Sequence, residues 1–122
     1  MPHCVLELSS NVEDNPDFRQ FFSKLHAFII TVSDVALETL KSRVAKYDQY
    51  YIGSGRPEVS FIYLTISMMS GRSEKVRQEI SQGALALLCE FFPCARDSGS
   101  CSINVGIQEL NRETYSKLLK DR

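Results

Sequence analysis

The chain has 122 residues, a length that suits one domain with a modest core. Its 14 basic and 15 acidic side chains leave a net charge of −1, so no overall field draws nucleic acid or an anionic membrane surface, and an anionic ligand has to be held by a local group of cations. No apolar run approaches the roughly 18 residues that span a bilayer, and the start lacks the basic and apolar segments of a signal peptide; the expectation is a cytoplasmic protein that binds neither membrane nor nucleic acid.

Met1-Pro2-His3 opens the sequence. Initiator methionine is normally trimmed before a small residue, and proline qualifies, so the expected mature terminus is a free prolyl amine, a secondary amine suited to proton transfer. Pro2 to about Leu8 reads as a strand, because β-favouring residues alternate and no helical stripe develops. A helix follows, with Asn15 as N-cap, Pro16 at the first helical position and Asp17 complementing the helix dipole. Phe18, Phe21, Phe22, Leu25, Phe28, Ile29 and Val32 recur at three- and four-residue spacing and form its core-facing side.

After Ser33-Asp34 a short connector leads to a second extended stretch, about Lys41 to Ile52, closed by the turn residues Gly53-Ser54-Gly55-Arg56-Pro57. The pattern then repeats. Val59 to Met68 reads as a strand, Ser73 caps a helix with Val76, Ile80, Ala84, Leu87, Leu88 and Phe91 on its apolar side, and Pro93 ends it. Asp97 to Ser100 reads as a loop. Ile103, Val105 and Ile107 alternate as a last strand, and a short amphipathic tail lies around Thr114 to Leu119. The expected architecture is α+β: one domain over 1–122, built from two β-α-β units at about 1–53 and 58–110, whose two helices cover one face of a four-stranded sheet. In the strand from Val59, Ile62, Leu64, Ile66 and Met68 point one way while Phe61 and Tyr63 point the other. That second apolar side predicts a homo-oligomer.

Lys41 and Arg43 stand at i and i+2, hence on one face of an extended stretch with Ser42 on the other, and suit a carboxylate clamp or a charged strand edge. Ser70-Gly71-Arg72-Ser73 joins a strand to a helix; Gly71 permits a tight turn, and Arg72 offers a planar fork for a carboxylate. Cys4, Cys89, Cys94 and Cys101 form no CxxC pair, and with two histidines there is no zinc-like set, so free thiols and no metal are expected. His3 and Cys4 are strand neighbours pointing to opposite faces, which argues against a thiol–imidazole pair. His26 reads as a satisfied histidine among phenylalanines, and Glu7 and Glu109 as ordinary ion-pairing groups. Hydrolase, P-loop and dinucleotide motifs are absent.

Met1-Pro2-His3 with Glu7, Leu40-Lys41-Ser42-Arg43-Val44, the strand from Phe61 to Ile66, Gly71-Arg72-Ser73-Glu74 with Arg77-Gln78, and Gln108-Glu109-Leu110 occur in an order that resembles the 5-carboxymethyl-2-hydroxymuconate delta-isomerases of the tautomerase superfamily. The resemblance covers nearly the whole chain. It implies a tautomerase-like fold, a homotrimer whose sheets surround a central core, and an isomerisation without cofactor or metal, in which Pro2 moves a proton along a conjugated enol acid in aromatic catabolism. It further implies that Arg72 binds a substrate carboxylate or the dienolate, that Arg43 shares this role or braces a neighbouring subunit, and that Lys41 stands where the family pattern has arginine. Lysine keeps the charge and loses the fork, which points to a weaker clamp or a smaller acid. The alternatives are a tautomerase-fold protein with broad keto-enol tautomerase, dehalogenase or hydratase activity, and a non-catalytic oligomeric binding module of ferredoxin-like type.

Overall fold

The computed structural model describes residues 1–119; the last three residues of the expected 1–122 domain lie outside the described ones. Two successive β-α-β units build the molecule. β1 (His3–Ser9), α1 (Phe18–Val32) and β2 (Lys41–Tyr47) form the first, and β3 (Ser60–Met69), α2 (Glu74–Phe91) and β4 (Cys101–Leu110) the second. The sheet order is β2-β1-β3-β4. Within each unit the strands are parallel, and β1 and β3 meet antiparallel in the middle, with His3 opposite Ser67 and Leu6 opposite Leu64.

The period-2 alternation explains the layering. Cys4, Leu6 and Leu8 of β1 and Ile62, Leu64, Ile66 and Met68 of β3 are buried on the helix side, where Phe21, Leu25 and Ile29 of α1 meet Ile80, Ala84 and Leu88 of α2. Gly83 lets the helices approach: a Cβ there would lie 2.0 Å from Cζ of Phe28. The opposite sheet face has no helix over it. Phe61 packs edge-on to Tyr50 at 6.4 Å between ring centroids, and Tyr63 lies across Gly106, where a Cβ would be 2.7 Å from its hydroxyl. The strand register sets Glu7, Arg43, Thr65, Asn104 and Gln108 on this same side. The uncovered face is therefore mixed in polarity, with Val5, Ala45, Phe61, Tyr63, Met69 and Leu110 as its apolar residues.

Four boundaries differ from the sequence expectations. Asp17, not Asn15, caps α1: its carboxylate accepts from the Gln20 amide at 3.2 Å, while Asn15 accepts from Lys46 Nζ at 3.3 Å and Pro16 stays outside the helix. β2 stops at Tyr47, short of Ile52, because Ser10 N donating to Tyr47 O at 2.8 Å is the final rung available from β1. Pro93 ends α2 and also opens a short α3 (Pro93–Ser98), so Asp97 and Ser98 are helical and the turn falls at Gly99, φ +73°. The stretch after β4 makes one 3-10 turn, Arg112–Thr114, and 115–119 follow without regular structure. Among the described residues no helix is long and apolar enough to cross a membrane.

Candidate active site

The topology decides which residues can meet. β1 and β2 start at the end of the sheet where β3 and β4 finish, since β1 is antiparallel to β3 and parallel to β2. The chain start, the connector before β2, the β3–α2 turn and the residues after β4 therefore converge. They enclose a cavity of about 240 Å³ lined by Pro2, Asp34, Thr39, Met69, Arg72 and Arg112, among others. Sequence reasoning found Pro2 and Arg72 and missed Asp34 and Arg112.

Pro2 is buried, and its carbonyl accepts from Lys41 N at 3.2 Å. With Met1 in place the Pro2 nitrogen is an amide and has no basicity; the Met1 amine is the titrating group at this position. Burial pushes that amine below its ordinary value, and the charges of Lys41 and Lys117 and a hydrogen bond from Lys41 push it the same way. The cause is general: removing a cation from water beside other cations favours the neutral form.

Arg72 is held by the turn that carries it. Gly71 at φ +121° makes the turn, a conformation that side chains with a Cβ rarely adopt. Ser73 then caps α2 by accepting from Val76 N at 3.2 Å. The Arg72 guanidinium donates to Met69 O at 3.2 Å and to Asp34 Oδ1 at 3.0 Å, while its buried Nε has no partner. Its side chain is 17% exposed against 91% for Asp34, so Asp34 is the partner that an incoming anion can displace.

Lys41 and Arg43 share a strand face as expected, with Ser42 on the helix side opposite Cys4. They do not join Arg72 in the cavity lining. Lys41 Nζ donates to Thr39 O at 3.1 Å and stands beside the terminal amine. Arg43 donates to His3 Nδ1 at 2.9 Å, so His3 accepts at that nitrogen and is neutral there. Burial lowers the His3 pKa, with Arg43 as the next cause. Burial raises the Cys4 thiol, which leaves it protonated and without nucleophilic character. Glu7 accepts from the Tyr47 hydroxyl at 2.5 Å, and Glu109 pairs with Arg77 at 3.5 Å, both ordinary structural contacts.

A wider groove of about 760 Å³ runs beside α1 and β2, lined by Phe22, His26, Leu37 and Ser42 among others. His26 Nε2 and Ser42 Oγ lie 2.6 Å apart in it. No acid hydrogen-bonds to this imidazole among the described residues, so the third member of a nucleophilic triad is missing. His26 is the satisfied histidine that the sequence suggested.

A family model described as 5-carboxymethyl-2-hydroxymuconate isomerase matches residues 2–119. The 5-carboxymethyl-2-hydroxymuconate Delta-isomerase of Escherichia coli is 24% identical over 111 residues, 91% of this chain and 88% of that protein. The crystal structure of a 5-carboxymethyl-2-hydroxymuconate isomerase from Deinococcus radiodurans R1 superposes with a TM-score of 0.85 at 22% identity, over 98% of this chain and 90% of the other. A fused 4-OT symmetric trimer shares the fold at a TM-score of 0.70 and 10% identity, over 90% of this chain and 86% of its own.

Proposed function

This chain belongs to the 5-carboxymethyl-2-hydroxymuconate isomerase family of tautomerase-superfamily enzymes, and we propose that it shifts one proton along an unsaturated 2-hydroxy or 2-oxo polycarboxylic acid. The observation that carries this reading is the burial of Pro2 at the sheet end where Arg72, Arg112 and Lys41 converge. After Met1 is removed, the Pro2 nitrogen is a secondary amine in the surroundings that already depress the Met1 amine. Burial and neighbouring cations then favour its neutral form, which suits a base that must accept a proton and return it.

The electron flow is simple. Pro2 takes the enol hydroxyl proton, the electron pair moves through the conjugated system to give a dienolate, and the prolinium delivers its proton to a distal carbon. The product is a 2-oxo acid with one double bond fewer in conjugation from carbon 2. Arg72 holds the carboxylate beside the enol, exchanging Asp34 for it, and its unpartnered Nε donates to the same anion. Lys41 keeps the amine neutral. A point charge at this position has no bidentate fork, and this favours a second reading, a broader keto-enol tautomerase acting on smaller acids.

We read the assembly as a homotrimer. Its support is the uncovered sheet face with Phe61 and Tyr63, together with the fold shared with a symmetric trimer. The functional test is a spectroscopic isomerisation assay over enolic mono-, di- and tricarboxylates, run beside Pro2→Ala and with intact mass measured on the same preparation. Conversion of a polycarboxylate that is lost in Pro2→Ala supports the proposal. Near wild-type turnover in Pro2→Ala, or full activity in protein that retains Met1, overturns it.

A further inference from the structure

We propose that Arg112 is the specificity-determining residue of this cavity, reading a substrate carboxylate remote from the enol and so favouring polycarboxylates over monocarboxylates. The inference rests on the proton-transfer reading above and adds to it a residue and a selectivity.

β3 and β4 run in parallel register to Met69 opposite Leu110, so both strands leave the sheet side by side. Ser70 N donates to Leu110 O at 2.9 Å, and Arg112 Nε donates back to Ser70 O at 2.8 Å. These two bonds tie the β4 exit to the turn that carries Arg72. The Arg112 guanidinium lies over Gly71: a Cβ there would be 3.7 Å from its Nε and 3.8 Å from its Nη2. Among the described residues Arg112 is anchored through Nε alone, which fixes the plane of the group and leaves its two terminal nitrogens without a protein acceptor there.

The contrast with Arg72 assigns the roles. Arg72 spends donors on Asp34 and on Met69 O. Arg112 has no carboxylate partner among the described residues. Asp34 is the one acid among the described residues of the cavity lining, and it already faces Arg72. The uncompensated positive charge of the lining therefore sits on Arg112. A guanidinium with free terminal N–H groups matches a carboxylate geometrically as well as electrically. The family substrate has the complement to offer: muconate is a diacid, and its carboxymethyl substituent carries a third carboxylate.

The test compares Arg112→Gln and Arg112→Lys with the wild type on an enol dicarboxylate, 2-hydroxymuconate, and an enol monocarboxylate, phenylenolpyruvate. Loss of a charged donor pair predicts a KM for the dicarboxylate about 10-fold higher in Arg112→Gln, with kcat nearly constant. The monocarboxylate loses much less than the dicarboxylate, and Arg112→Lys recovers part of the loss. A parallel calorimetric titration with adipate and hexanoate, neither of which can react, predicts the same selective loss in affinity. Equal effects on both acids, or no effect on either, overturn the inference, as does wild-type protein that binds adipate no better than hexanoate. If wild-type protein turns over neither enol, the proton-transfer reading fails, and the adipate comparison alone decides the role of Arg112.

Discussion

The two strand-to-helix loops of the repeated units lie at opposite ends of one sheet and treat charge in opposite ways. In the first unit, the loop after β1 sends the carboxylate of Asp14 onto the start of α3, where it accepts from Cys94 N at 2.9 Å and Ala95 N at 2.8 Å. Neighbouring ions pair off locally there: Arg56 Nε donates to Glu58 at 2.6 Å and Arg96 Nε to Asp97 at 2.9 Å. In the second unit, the equivalent loop carries Arg72 with an unpartnered Nε and lies under Arg112, which has no acid partner among the described residues. A net charge of −1 conceals this separation. One end spends its charges on the fold, and the other keeps cations in reserve around Pro2.

The strongest way to break the contrast is to exchange rate for stability. Pro2→Ala is expected to lower kcat by roughly 10²–10⁴-fold, the range for a positioned acid–base group, with little change in melting temperature. Asp14→Ala is expected to do the reverse. It strips the buried Ala95 amide and the half-buried Cys94 amide of their acceptor and costs about 1–3 kcal/mol in denaturant unfolding, with kcat and KM retained in the folded protein. If Asp14→Ala changed KM selectively, the two ends would not be functionally distinct.

Asp34→Asn sharpens the comparison at the cationic end. Asp34 is an exposed partner for Arg72, so the pair itself contributes little to stability; removing its charge leaves Arg72 for the substrate and lowers KM for enol acids by about 2–5-fold. A raised KM would instead show that Asp34 orients Arg72. The smallest effect concerns the histidines. Burial lowers the pKa of both His3 and His26 in the folded chain, so the folded state binds fewer protons than the unfolded one. Their contribution is complete above the unfolded value and is lost as pH falls below about 6.5 toward the depressed folded values. His26→Gln, which can still hydrogen-bond Ser42, should flatten that slope in thermal melts.

Hydrophobic period made the sheet and helices legible. The alternation in β1 and the stripe from Phe18 to Val32 admit one layering, because only one side of each is apolar enough to bury, and the larger run Ile62, Leu64, Ile66 and Met68 sets the side of β3 that faces the helices. Boundaries were less legible where a distant partner decides them. β2 ends where β1 ends, whatever the β-propensity of Tyr50, Tyr51 and Ile52, and Asp17 outcompetes Asn15 because Pro16 and Lys46 hold the preceding loop outside the helix. The cavity residues divide in the same manner. Pro2 and Arg72 belong to local patterns, a chain start and a glycine turn, whereas Arg112 acquires meaning only when β4 is laid parallel to β3. The expected repeat contained that signal: two parallel strands must finish together, so the first cation after Leu110 falls beside the turn that carries Arg72. Asp34 gave no such signal from within a featureless connector.

The central claim is that the Pro2 nitrogen is a titrating amine in a buried, cation-rich site. Its most direct test is a nitrogen NMR titration of protein labelled with ¹⁵N-proline. The expected result is a secondary-amine resonance for Pro2 that titrates below the ordinary α-amine range of about 7.7–8.0, with kcat/KM rising through the same pH. A Pro2 nitrogen that remains an amide and does not titrate, or one that titrates at or above that range, would contradict it.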